Sequence, residues 1–137
     1  MQNKTAPIDR KMKLDYIHHF NEFGENIIRL YDFDMALAIK FRQAIIDHII
    51  TNKTGLNLMD LDFIEVINCN LVLRLWNEDE GISTTNQKTF YCDLTYEGYE
   101  NMIALLEPFC RKETKGHQFL YDIDNPTDFL FSPAGTR

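Results

Sequence analysis

The sequence predicts an α+β fold: a single domain with a curved, mainly antiparallel sheet of about five or six strands and two main helices. Three observations lead there. Short runs rich in Ile, Val, Leu, Phe and Tyr recur along the chain at strand length. Two longer stretches each follow a residue fit to cap a helix. The 137 residues, 45% of them hydrophobic, contain no Pro/Gly-rich linker or low-complexity run that would divide them.

Taken in order, the polar lead over residues 1–10 reads as flexible. Met12 to Phe23 places Tyr16, Ile17, Phe20 and Phe23 on one helical face ahead of Gly24, which predicts a short N-terminal helix. Asn26 to Phe33 fits a strand. Asp34 then stands where an N-cap belongs, before a helix over Met35 to Thr51. At 100° per residue, Leu37, Phe41, Ala44, Ile45 and His48 share one face of that helix, while Ile39, Ile46 and Ile50 fall nearly opposite. Lys40, Gln43 and Asp47 make its only clean polar stripe. A helix apolar on most of its circumference needs covering on two sides, so Ile39, Ile46 and Ile50 are the expected interface of a homodimer, or else lie under the N-terminal helix of the same chain.

Phe63 to Trp76 reads as β throughout, either one bent strand or a hairpin about Cys69. The polar segment over 77–89, opening with Glu78-Asp79-Glu80, reads as a mobile loop. Phe90 to Leu94 should return antiparallel to the strand before that loop. Thr95 caps a second helix, Tyr96 to Glu107, with Tyr99, Met102, Ile103 and Leu106 as its apolar stripe and Pro108 as its stop. Two final strands, Gln118 to Asp122 and Asp128 to Ser132, flank the turn at Asp124-Asn125-Pro126.

Composition excludes several classes. The formal charge of −7 opposes a nucleic-acid partner, because phosphate affinity comes from clustered Lys and Arg. Arg10/Lys11/Lys13 and Arg111/Lys112/Lys115 are too short to reverse it. Three cysteines without a C-x-x-C pair fit reduced thiols and a cytoplasmic setting. No run of about 18 apolar residues predicts a membrane span.

The candidate chemistry lies in a repeated pentapeptide, Leu30-Tyr31-Asp32-Phe33-Asp34 and Leu120-Tyr121-Asp122-Ile123-Asp124. It is not a duplication, since the similarity ends with those five residues. Paired carboxylates at i and i+2 can hold a hard cation such as Mg²⁺, so Asp32, Asp34, Asp122 and Asp124 are the candidate metal ligands. The first copy partly resembles the nucleophile motif of haloacid-dehalogenase-type phosphatases. That resemblance implies that Asp32 would attack phosphorus and Asp34 would serve as acid/base. Met35-Ala36 stand where a Gly or hydroxyl residue is expected, and no later acid pair completes the metal site, so the chain is not assigned to that family. The competing reading makes Asp34 a helix cap and the other acids strand-end and turn residues.

Other constellations are incomplete. Pro126 and Thr127 break any calcium loop begun by Asp122, Asp124 and Asp128. Adjacent His18 and His19 point to different helical faces, and His48 sits on an apolar one. Cys110 and His117 have the residue types of a nucleophile pair, or of a zinc set with Cys69 and Cys92, but lack any flanking signature. Tyr31, Tyr91, Tyr96, Tyr99 and Tyr121 fall near element ends, as core margin or as the lining of an interface or cleft. The leading expectation is a small intracellular, non-catalytic binding or regulatory module that self-associates and needs no cofactor. The alternatives are a divalent-metal-assisted hydrolase or phosphotransfer enzyme using the Asp-x-Asp pairs, and an acidic protein that masks a basic partner surface through Glu78-Asp79-Glu80.

Overall fold

The computed structural model describes residues 10–18, 26–112, 116–121 and 127–133. The expectation of a flexible lead therefore concerns residues that, apart from Arg10, lie outside the described ones. The fold is α+β, with two helices and two sheets. Strand alternation creates the sheets. In β1 (Met12–Ile17), Met12 and Leu14 turn inward while Lys13 and Asp15 turn outward. In β2 (Asn26–Tyr31), Ile28 and Leu30 point in, and Arg29 and Tyr31 point out. The predicted N-terminal helix is thus corrected over Met12–Ile17: the governing period is two, and residues 19–23 lie outside the described part.

The first sheet runs β4-β1-β2-β9-β8, with β4 at Ile64–Val66, β8 at Gln118–Tyr121 and β9 at Thr127–Ser132. The second runs β3-β5-β7-β6, with β3 at Leu56–Asn57, β5 at Asn70–Leu75, β6 at Gly81–Thr84 and β7 at Thr89–Leu94. Both sheets are mixed. β4 joins β1 in parallel, β9 joins β2 in parallel, and β7 joins β5 in parallel; the other neighbours are antiparallel. The mainly antiparallel single sheet is corrected accordingly. Phe63 to Trp76 is neither one strand nor a hairpin, because β4 and β5 belong to different sheets. The segment over 77–89 contains β6, which pairs with β7 and buries Ile82.

Helix α1 (Met35–Ile45) starts where expected: the Asp34 carboxylate accepts from the Leu37 amide at 2.9 Å. It continues as a π-helical segment, Ile46–Thr51. Helix α2 (Tyr96–Arg111) is capped by Thr95, whose hydroxyl accepts from the Gly98 amide at 3.0 Å. Pro108 does not stop it. The helix gains a further turn because Phe109 enters the aromatic core, 5.1 Å from Phe131 and 5.9 Å from Phe33 between ring centroids. One cluster of buried apolar side chains joins α1, α2 and both sheets, and the Tyr16 ring meets that of Phe90 across the sheets, tilted by 42° with centroids 4.6 Å apart.

Candidate functional site

Asp32 and Asp34 follow β2 directly, as the sequence suggested, but both carboxylates already have donors. Asp32 has a positive φ of 63° and accepts from Lys13 Nζ at 2.8 Å and Arg10 at 3.3 Å. Asp34 is the cap of α1. A recess of about 450 Å³ is lined by Arg10, Lys11 and Lys40 together with Asp34 and Asp62. Three cations against two carboxylates oppose a hard cation. Among the described residues no three His, Cys, Asp or Glu side chains come together as metal ligands. Asp122 and Asp124 lie outside the described residues, so their approach to Asp32 is not part of this geometry.

The thiols are poor nucleophiles. Burial pushes Cys69 and Cys92 up to about 12, since a thiolate there would lose its hydration. Cys110 is half-buried on α2, where its Sγ donates to the Leu106 carbonyl at 3.5 Å. Burial raises its pKa as well, against the opposing pull of Arg42. His48 donates from Nδ1 to the Ala44 carbonyl at 3.0 Å and so is satisfied within its own helix.

The helix pair offers a more coherent feature. Ile46 and Ile50 are half-buried and line a groove of about 490 Å³ shared with Ile103 and Ala104 of α2. Its rim carries Arg42 on α1 and Glu100 and Glu107 on α2. Ile39, one heptad before Ile46, is 45% exposed. Of the three predicted interface residues, two therefore floor a groove and the third extends the same apolar stripe.

A second feature escaped the sequence. On the outer face of the second sheet, Arg74 of β5 and Asp93 of β7 are register partners. The guanidinium donates to both carboxylate oxygens, at 2.7 and 2.8 Å. It also lies over the Tyr91 ring at 4.3 Å and the Trp76 ring at 5.3 Å. Asp93 is buried, whereas Trp76 is 45% exposed. The available signal was alternation: Trp76, just past the end of β5, is two residues from Arg74, and Tyr91 and Asp93 are two apart on β7. Of the tyrosines singled out, Tyr91 is half-exposed on this face and Tyr96 is 37% exposed, whereas Tyr99 is core, its hydroxyl donating to the Cys92 carbonyl at 2.6 Å.

No protein-family model, curated protein or solved structure matches this chain. Among the described residues, Asp32 and Asp34 already accept from neighbouring donors, and burial raises the pKa of all three thiols.

Proposed function

We propose that the chain is a non-catalytic binding module of the cell interior that self-associates through α1 and α2. The observation that carries this is the apolar stripe Ile39, Ile46 and Ile50, continued into a groove whose rim has charge of both signs. In a two-fold contact, each surface meets its own copy. Arg42 of one copy then faces Glu100 or Glu107 of the other, and the isoleucines meet along the axis. Covering those side chains contributes roughly 1.5 to 3 kcal/mol for each one fully buried. The three free cysteines fit a reducing compartment. No helix among the described residues is long and apolar enough to cross a membrane.

Placing a charge in the stripe tests the reading. Light scattering on the unaltered chain is expected to give a dimer mass, and Ile46→Glu a monomer with the parent's circular dichroism. Because Ile46 is half-buried, Ile39→Glu serves as the companion variant at a more exposed position, with the same expected shift toward monomer. A monomeric parent at high micromolar concentration contradicts the proposal.

A further inference from the structure

We infer that the π turn ending α1 is a register switch set by His48, which draws Ile50 toward α2 and so restrains the association of two copies. The switch rests on the self-association proposed above and adds its regulation. The Asn52 amide donates to the Asp47 carbonyl, five residues back, at 3.1 Å and closes the π segment Ile46–Thr51. A turn of that kind holds one residue more than an α turn, so side chains beyond it are set back by one position, about 100°. Burial shows the step. Counting on from Phe41 and Ala44 at α spacing would put His48 in the core and Ile50 on the outward stripe with Ile39 and Ile46. Instead His48 is half-buried and Ile49 is fully buried in its place. Ile50 is half-buried in the groove with Ile103, and Thr51 takes the exposed position.

His48 supplies the reason for the step. Its ring donates from Nδ1 to the Ala44 carbonyl at 3.0 Å, and its own carbonyl accepts from the amide and the hydroxyl of Thr54 at 2.8 and 2.9 Å. The α register would turn the imidazole into the apolar core, a cost that an apolar side chain at position 48 does not carry. Lys53 fastens the stepped end to α2: Nζ donates to the Ile50 carbonyl at 2.9 Å and lies over the Tyr96 ring at 4.1 Å. With Ile50 drawn toward α2, the outward stripe presents Ile39 and Ile46. The α register returns Ile50 to that stripe and enlarges the apolar area that a second copy covers.

The test replaces His48 by leucine, which the α register buries. Sedimentation of the full chain through a concentration series is expected to give His48→Leu a dimer Kd about tenfold below the parent's, the gain from one more isoleucine in the contact. In dilute, monomeric samples, a soluble gadolinium chelate should relax the Ile50 methyls of the variant faster than those of the parent. His48→Asn keeps an amide donor where Nδ1 stands and is expected to match the parent in both measurements. Should leucine prevent folding, His48→Met gives the same comparison with a more adaptable side chain. The proposal is overturned if Ile50 is no more accessible in the apolar variant, if that variant dimerises no more tightly, or if His48→Asn behaves as His48→Leu. Parent and variant both monomeric at high micromolar concentration, with Ile50 released in the variant, would refute the self-association, and its restraint with it, while leaving the register step in place. The two failures are therefore told apart.

Discussion

Arg74 and Asp93 are joined by two parallel hydrogen bonds of 2.7 and 2.8 Å across a register pair of β5 and β7, and the other sheet repeats the device with Arg29 and Asp15 at 3.0 and 2.7 Å. In each case the guanidinium also lies over a tyrosine from the pair of strands it bridges, Tyr91 in one sheet and Tyr31 in the other. The carboxylate is the more buried partner both times, with side-chain exposures of 7% for Asp93 and 12% for Asp15. A buried carboxylate without its cation is costly.

Arg74→Leu is therefore expected to destabilise the chain by about 2 kcal/mol, less than for a fully buried pair because Arg74 itself meets water. Adding Asp93→Leu should restore most of the loss. Urea unfolding of the two single variants and the double variant completes the cycle; a double variant no more stable than Arg74→Leu would contradict the pairing.

Gly98 lies in the first turn of α2, where alanine ordinarily gains about 1 kcal/mol over glycine. Here a Cβ would meet Asp79 Oδ1 at 2.7 Å and the Leu94 Cβ at 3.0 Å. Asp79 cannot simply move away, because Oδ1 accepts from both the amide and the hydroxyl of Thr95, each at 2.8 Å. Gly98→Ala should lower the melting temperature; a rise would show that the contact relaxes freely.

Asp34→Ala should cost about 1 kcal/mol as a lost helix cap. If Asp34 instead held a metal with Asp32, EDTA would lower the melting temperature of the parent, because a bound ion stabilises by mass action. The expected result is a loss on substitution with no response to chelator.

Alkali should weaken the fold through its thiols. A cysteine in the unfolded chain ionises near 9.0, whereas Cys69 and Cys92 in the folded chain hold their protons to about 12. Between those values the folded state binds more protons, so stability falls as pH rises, by up to about 1.4 kcal/mol per pH unit for each thiol. Urea midpoints at pH 8, 9 and 10 should show the decline beginning at 9, and Cys69→Ala should reduce its slope.

Local signals were legible in the sequence and long-range ones were not. The caps at Asp34 and Thr95 could be read because the groups they satisfy lie three residues away, and β2, β7 and β9 were visible in their apolar runs. The parallel pairing of β5 with β7 was hidden, since no short pattern shows which strand lies beside which. The 3.6 spacing of Tyr16, Ile17, Phe20 and Phe23 masked the alternation of Met12 and Leu14 with Lys13 that makes β1 a strand. Pro108 failed as a stop because Phe109 is held by Phe33 and Phe131, which are distant in sequence. Helical spacing alone sets Ile46 and Ile50 apart from the core face, and both line the groove between α1 and α2. Arg74 and Asp93, 19 residues apart, meet only through the sheet register.

Self-association at the helix groove is tested most directly by isoleucine methyl spectra of the unaltered chain through a dilution series. The methyls of Ile39, Ile46, Ile50 and Ile103 should move together with concentration, with a midpoint matching the mass transition, while those of Ile28 and Ile64 in the core stay fixed. A spectrum that does not change on dilution, from a chain of monomer mass throughout, would contradict the assignment.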